Sequence, residues 1–470
     1  MIQNRFLKNV SVNTLQLIIN QLFGLLIFYA LSKGLDKNTF GQVNWSLAVL
    51  LTAFAVLTFG IDQLLVKKIA SGHDRQSIFN AYIFHVIISG GLFYGLLLLH
   101  YLLFPGLFPQ QYFLLFIGVG KLFIYFSTPF KQVATGVEKF TAVLYMSVVS
   151  NIIRGIGLLL LLVLHTMSVS NVLIILITGD LAELLLCIII ARPILQPPVK
   201  IRWDKKLQFN LLKESLPQAG VVMFTAIMGR FDWILIGLIV SSSKLAEYSF
   251  AWKLFEVSTL PLLIIAPIMV PLFTRIFKQP GNSGPPSFFL EWQIIIASFI
   301  ALILNICWQP VVDLLTNGKY GAVNTNTILI LSFSMPLLYF NNYLWTINFA
   351  KGNLKLIFFI IAASFTVNIT GCCILIPLHQ NEGAAIAYLL AIFIQAVLYI
   401  QTTGFSMLNS RKWFLLAWPF TAFICVFISR NYISGIVPGI ALPLIIYILI
   451  VLLSKQVRKS DWKILQSLYQ

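Results

Sequence analysis

"LPQAGVVMFTAIMGRFDWILIGLIV" runs from Leu216 to Val240. About 20 mostly apolar residues suffice to cross the hydrocarbon core of a bilayer as a helix, so this stretch reads as a membrane span. It nevertheless carries Arg230 and Asp232, two residues apart. One charge at mid-bilayer costs about 2.5–3.5 kcal/mol on insertion scales. On a continuous helix, residues two apart point about 200° from each other, so the two are not a local ion pair. Asp232 continues a polar stripe with Gln218 and Thr225 at seven-residue steps, whereas Arg230 shares a face with Met223, Ala226 and Trp233. Each charge therefore needs its own reason to be there.

The rest of the chain puts that span in context. Of 470 residues, 59% are hydrophobic and only 10% charged. Mean hydropathy is +0.90. That is too little charge to cover a water-soluble protein of this length. The fold class expected is all-α, a polytopic membrane protein with about 14 transmembrane helices. The expected spans cover approximately 11–33, 41–64, 79–103, 112–132, 142–165, 171–191, 216–240, 246–273, 288–309, 325–347, 355–377, 384–404, 412–430 and 436–454. Turn-forming stretches separate several of them: "FPGLFPQQ" at 104–111, "QPGNSGPP" at 279–286 and "HQNEG" at 379–383. The apolar part of the N-terminus is long, is punctuated by polar residues and precedes no small-residue cleavage site. It is expected to be the first span rather than a removable signal.

Loop charge sets the orientation. With the N-terminus in the cytoplasm, most of the 32 Lys and Arg fall on the cytoplasmic side. They include Lys67, Lys68 and Arg75, the set from Arg192 to Lys213, and Lys455, Arg458, Lys459 and Lys463; Lys33, Lys37, Lys244, Lys319 and Arg430 fall outside. Both termini are then cytoplasmic. The net charge of +17 becomes a topology signal and an attraction to anionic membrane lipid, not a nucleic-acid footprint.

The chain divides after six spans. The expected organisation is a six-helix bundle over 1–195, a basic cytoplasmic linker over 196–215, a second six-helix bundle over 216–405, and two further helices with a basic tail over 406–470. Weak internal repetition supports two copies. "TFGQVNWSLAVL" parallels "LAEYSFAWKLFE", and "GVEKFTAVLYMSVVSNI" parallels "GNLKLIFFIIAASFTVNI". Six helices per copy give both the same orientation, with a pseudo-twofold axis along the membrane normal and a substrate site between the halves.

Three stretches carry a family resemblance. They are "LPQAGVVMFTAIMGRFDWILIGLIVSSSKLAEYSFAWKLFE" (216–256), "GNLKLIFFIIAASFTVNITGCCILIPLHQNEGAAIAYLL" (352–390) and "ATGVEKFTAVLYMSVVSNIIRGIGLLLLL" (134–162). They resemble polysaccharide flippases of the O-antigen and capsule type, within the multidrug/oligosaccharidyl-lipid/polysaccharide exporter superfamily. The resemblance implies two bundles around a central cavity that opens alternately to each side of a bacterial cytoplasmic membrane. It also implies a polyprenyl-diphosphate-linked oligosaccharide as cargo, flipped to the outer leaflet for surface polysaccharide synthesis.

Such cargo needs a wet, polar and cationic passage for its sugar and diphosphate. Asn9, Asn13, Gln16 and Asn20, spaced four, three and four, share one face of the first helix. Their amides suit sugar hydroxyls, or alternatively helix–helix hydrogen bonds. Lys121, Arg154, Arg230 and Lys253 lie at membrane depth and suit the diphosphate, with internal salt bridges as the alternative. The expected substrate-binding set is Arg154, Arg230, Lys121, Lys253, Asn13, Gln16 and Asn20. Lys253 and Glu256, three apart, can also pair along their own helix. Asp180 and Glu183 are three apart with the same sign. That suits coupling to a proton or sodium gradient unless Arg154 neutralises them, and Asp232 joins them as a coupling or orienting neighbour of Arg230.

Nothing points to catalysis, a cofactor or a metal. The five histidines are scattered, and no nucleotide loop or HExxH motif occurs. Cys187, Cys307, Cys372, Cys373 and Cys425 lie in apolar runs and read as small buried hydrophobes. The expected partners are the lipid-linked oligosaccharide, membrane lipid and a polymerase or glycosyltransferase, with the protein itself acting as a monomer. A multidrug cation antiporter and a peptidoglycan-precursor flippase are the alternatives within the superfamily. Short outer loops disfavour a membrane glycan polymerase or ligase.

Overall fold

The computed structural model describes residues 2–107, 109–195, 204–278, 288–403, 414–433 and 435–454. Much of the expected linker (196–203, with Lys200 and Arg202), the turn at 279–286 and the basic tail from Lys455 lie outside the described residues. Among those described, the chain is helical without a strand. The helices are α1 (Ile2–Gly34), α2 (Lys37–Leu57), α3 (Ile61–Ala70), α4 (Arg75–Leu103), α5 (Gln111–Gly136), α6 (Phe140–Val163), α7 (Val169–Leu195) and α8 (Lys205–Met228). They continue as α9 (Phe231–Ile239), α10 (Ser242–Ser258), α11 (Leu260–Lys278), α12 (Phe288–Thr316), α13 (Thr325–Ala350), α14 (Leu354–Thr403), α15 (Phe414–Tyr432) and α16 (Ile436–Leu453).

Among the described residues twelve stretches are long and apolar enough to cross a membrane, one of them Ser242–Ala266 across the α10–α11 junction, or thirteen when the bent pair α8–α9 counts as one span. That measure does not confirm the expected fourteen. The run α14 counts once there, although at 50 residues it is far longer than one bilayer crossing. Gln380, at φ 49° and ψ −122°, breaks it within the turn-forming stretch "HQNEG".

The surface is that of a protein in lipid. Along α4, Leu92, Leu96, Leu99 and Leu103 form an exposed leucine stripe, and Ile445, Leu449 and Leu453 do the same on α16. The buried set conversely contains Lys121, Asp180, Glu183, Asp232 and Asn305. Apolar groups outside and charged or amide groups inside are what a hydrocarbon solvent selects.

The chain divides into two compact units, residues 1–246 and 247–470. In the first, α5 is the central element and packs against α2, α3, α4, α6 and α7. In the same unit α8 and α9 pack against α2, and α8 also meets α3 and α4. In the second, α12, α13 and α14 pack in series, and the C-terminal α15 and α16 both lie on α12. Its core holds Phe273, Leu302, Tyr343, Tyr399, Trp418 and Tyr447. The Tyr447 hydroxyl donates to the Ile295 carbonyl at 3.0 Å, which ties α16 to α12.

Three expected spans are broken. The second divides into α2 and α3, because Phe59 (φ 53°) and Gly60 (φ 70°) adopt left-handed backbone between them. The seventh divides at Gly229–Arg230. The eighth divides at Thr259 between α10 and α11, where Pro261 in the first turn of α11 has no N–H to extend the preceding helix. Residues 205–215, expected to be linker, form the first turns of α8. Asp204 caps them by accepting the Leu207 N–H at 2.9 Å.

In the second unit, Asn305 is a buried three-way junction. Its Nδ2 donates to Ser332 Oγ at 2.6 Å and to the Ala301 carbonyl at 2.8 Å, and its Oδ1 accepts from Arg430 Nη2 at 3.2 Å. Asn305→Leu would remove the bonds that join α12 to Ser332 and Arg430, while Ser332 Oγ keeps its bond to the Leu329 carbonyl. It is expected to destabilise the protein by about 1 kcal/mol, seen as a lower Tm in detergent with unchanged monodispersity.

Candidate functional site

The first unit contains a buried charge network on α5, α6 and α7. Asp180 and Glu183 lie one turn apart on α7, only 1% and 4% exposed. Lys121 of α5 donates to Asp180 Oδ2 at 2.7 Å, and Arg154 Nη1 of α6 lies 2.7 Å from Asp180 Oδ1. Lys131, ten residues along α5 from Lys121, pairs with Glu183 Oε1. Three cations thus face two carboxylates, which leaves one positive charge in excess.

Arg154 is held from two sides. Its second guanidinium nitrogen, Nη2, donates to Ser150 Oγ at 2.8 Å and to Asn151 Oδ1 at 2.7 Å. Asn151 Nδ2 in turn donates to Asn20 Oδ1 of α1 at 2.9 Å. One connected line of polar side chains therefore runs from α1 through α6 and α7 to α5. Two glycines make room for it. A Cβ on Gly179 would stand 2.4 Å from Arg154 Cγ, and one on Gly120 would stand 2.7 Å from Asp180 Oδ2. Both distances are shorter than real Cβ contacts, so larger side chains there would push the ion pairs apart.

The sequence expectations divide against this geometry. Lys121, Arg154, Asp180, Glu183 and Asn20 are brought together. Asp180 and Glu183 are not a bare like-charge pair, however, because each has its own cation. The two carboxylates are therefore not unanswered in low dielectric: Arg154, weighed as the neutralising group, pairs with Asp180, while Glu183 is answered by Lys131 instead. Asn20 bonds to a neighbouring helix, as buried membrane amides often do. Gln16 Oε1 is buried without a hydrogen-bond partner. The side chains of Asn9 and Asn13 lie outside the described residues. In the second unit Lys253 pairs with Glu256 at 2.9 Å along α10, as the spacing allowed.

Lys131, Ser150 and Asn151 were missed. Lys131 lies close to the expected end of its span and reads as a loop cation. Ser150 and Asn151, four and three residues before Arg154, share its helical face, a spacing that contained the signal.

Arg230 and Asp232 are explained by a break rather than by opposite faces of one helix. Helix α8 ends at Met228, α9 begins at Phe231, and the two axes are bent by 46°. Arg230 occupies the cap position with φ −146°, its guanidinium 4.4 Å from the centroid of the Trp233 ring. That is a cation–π stack between residues three apart. Asp232 lies in the first turn of α9, and its Oδ1 accepts the Trp233 N–H at 2.9 Å. An acid there favours the positive end of the helix dipole. The carbonyl of Ile234 accepts from Trp45 Nε1 of α2 at 3.1 Å.

Among the described residues no group of His, Cys, Asp and Glu is arranged to hold a metal ion, and all five cysteines are free.

A family model described as "Polysaccharide biosynthesis protein" matches residues 6–277. The chain belongs to that family. The family match covers the whole charge network and the α8–α9 break. No curated protein matches the sequence. Among solved structures, the fold is similar to that of the lipid II flippase MurJ in an inward closed conformation, with TM-score 0.75, 14% identity, and coverage of 95% of this chain and 98% of that one. It is also similar to an inward-facing multidrug resistance MATE family transporter of the MOP superfamily, with TM-score 0.62, 12% identity and coverage of 88% and 99%. A third is a MOP superfamily transporter from Pyrococcus furiosus, with TM-score 0.57, 10% identity and coverage of 90% and 96%. At these identities the likeness establishes the fold alone, an all-α multi-pass membrane architecture.

Removing the shared carboxylate tests the network directly. Asp180→Asn leaves Lys121 and Arg154 buried against a neutral amide and is expected to destabilise the protein by about 3–5 kcal/mol. Adding Lys121→Met is expected to recover part of that loss. Thermal unfolding of both variants in one detergent measures it.

Proposed function

We propose that this protein flips a polyprenyl-diphosphate-linked oligosaccharide from the cytoplasmic to the outer leaflet of a bacterial cytoplasmic membrane, by alternating access, for surface polysaccharide biosynthesis. Family membership and a flippase-like fold support transport of this class. The observation that carries the choice of cargo is the half-buried Arg154, held in a network with one positive charge in excess. A diphosphate, like the Asp180 carboxylate, offers anionic oxygens that a guanidinium can bind in pairs. Cargo and Asp180 would then compete for one guanidinium, which gives a low-dielectric site for an anion without leaving an unpaired cation when cargo is absent. Arg230, Lys121, Lys253, Asn13, Gln16 and Asn20 complete the proposed contacts.

The carboxylates of Asp180 and Glu183, with Asp232, serve as the proposed link to a proton or sodium gradient. Release of both Arg154 and Lys121 to the cargo would leave Asp180 unanswered and able to take up a cation. No cofactor or catalytic residue is assigned, and the distribution of Lys and Arg supports a cytoplasmic position for both termini. The protein would act as a monomer, receiving cargo from a glycosyltransferase and delivering it to a polymerase. An antiporter of cationic drugs is the second reading, favoured by the likeness to the multidrug resistance transporters. The excess positive charge argues against it.

Arg154→Lys keeps the charge and removes the planar fork. In proteoliposomes it is expected to lower flipping of a fluorescent polyprenyl-diphosphate oligosaccharide by about tenfold or more, with a smaller loss of Tm than Asp180→Asn because the charge is kept. Unchanged flipping would remove Arg154 from the cargo site. Drug efflux by the parent protein without any flipping would replace this reading with the antiporter.

A further inference from the structure

A second polar centre lies at the break between α2 and α3, away from the ion pairs of α5–α7. The break frees the carbonyl of Leu57, which accepts from His85 Nε2 of α4 at 2.8 Å and from the Tyr125 hydroxyl of α5 at 2.9 Å. Tyr125 is further fixed by Ser89 Oγ at 2.9 Å. Just past the break, Asp62 is the second residue of α3. Its Oδ1 is buried and meets no hydrogen-bond partner. No Lys or Arg lies within ion-pair distance of it among the described residues. The hydroxyl of Tyr82, a fully buried side chain on α4, likewise meets no partner, and it is near enough to Asp62 to interact with its charge. Tyr125 interacts with that charge as well.

An unpaired carboxylate oxygen and an unpaired phenol, both shut away from water, are an incomplete arrangement. A buried polar atom without a partner costs about 1–3 kcal/mol, and more for a charged group. A neutral carboxyl needs no counter-ion, so a proton on Asp62 removes the cost of holding a charge on that buried oxygen. The groups facing this end of α3 are Tyr82 and His85 from α4 and Tyr125 from α5, none of which is a cation held against Asp62. With a single acid and no second carboxylate or imidazole ligand set, a divalent metal has too few ligands here.

The same end of α3 is clasped to α8. Gly60 packs on the backbone of Gln218 and Ala219. Gln218 Nε2 donates to Gln63 Oε1, the residue next to Asp62. One turn further on, Lys68 pairs with Glu214 at 2.7 Å. Pro217, inside α8 beside this contact, removes a backbone N–H and weakens the helix where it would flex.

We propose that Asp62 is a proton-binding site whose occupancy sets whether α3 stays clasped to α8. The protonated, neutral form is compatible with the buried, clasped arrangement seen here. Loss of the proton leaves a charge that fuller access of water stabilises further, so deprotonation favours release of α8 from α3. No atom other than the proton is transferred, and the site is separate from the Arg154 and Asp180 network.

The test needs no cargo, so its outcome is independent of whether the flippase reading holds. Backbone deuterium uptake of peptides covering α3 and the middle of α8 is followed in the full-length protein in nanodiscs, at about pH 5.5 and about pH 8, with exchange times corrected for intrinsic chemistry. Uptake is expected to be at least about threefold faster at the higher pH in the parent protein, since one linked proton moves such an equilibrium by up to tenfold per pH unit. Asp62→Asn is expected to be protected at both pH values, and Asp62→Glu to keep the pH dependence. Tyr82→Phe is expected to shift its midpoint. A pH-independent parent protein, or a pH dependence that survives in Asp62→Asn, overturns the proposal. So does a change in uptake on replacing sodium by choline at fixed pH, which would make the ligand sodium instead of a proton. If Asp62→Asn does not fold, the Glu and Phe variants still decide: unchanged midpoints in both would overturn it.

Discussion

The first unit depends on one carboxylate. Asp180 answers two cations from two different helices, and each of the three groups would be prohibitive alone in a hydrocarbon-facing bundle. Such a pair contributes little net stability compared with well-packed apolar residues, because desolvation offsets most of the Coulomb attraction. Its effect is on specificity instead: α5, α6 and α7 have one mutual register in which every charge is answered. The amides of Asn151 and Asn20 extend that register to α1, and the glycines at 120 and 179 set how closely the backbones must approach for it to form.

The second theme is discontinuity. Breaks at Phe59–Gly60, Gly229–Arg230 and Thr259 interrupt helices within expected spans, whereas Gln380 marks a turn between two of them. In each of the first two, the surroundings absorb the backbone groups set free. His85 and Tyr125 cover the Leu57 carbonyl, and Asp232 covers the Trp233 N–H. Non-helical backbone at membrane depth is tolerated where protein supplies such partners. These joints also give α3 and α9 orientations different from the helices before them, and hence side chains that a straight span would turn elsewhere.

Much of this was legible in the sequence, because hydrocarbon imposes strong rules. Apolar runs of the right length gave an all-α multi-pass fold, and charges inside them marked Lys121, Arg154, Asp180 and Glu183 in advance. The i, i+3 spacing of Lys253 and Glu256 was enough to pair them. What a helical period does not reveal is where it stops. Arg230 and Asp232 looked like opposite faces of one helix, since nothing in "IMGRFDW" except Gly229 signals a joint. Nor does spacing along one helix say which neighbour answers a charge. Glu183 finds Lys131, a residue 52 positions away that seemed to belong to a loop.

The separation along the chain has its own consequence for biogenesis. Lys121 precedes Asp180 by 59 residues, so α5 leaves the ribosome well before its acidic partner exists. Arg154 is also made before Asp180. Helices α5 and α6 therefore meet the membrane carrying cations with nothing to neutralise them, at a cost of about 2.5–3.5 kcal/mol for each one placed at mid-bilayer. They must be held at the insertion machinery, or sit shallowly with their cations near the lipid headgroups, until α7 emerges. The first seven helices are in this sense a single unit of insertion, closed by the arrival of one aspartate.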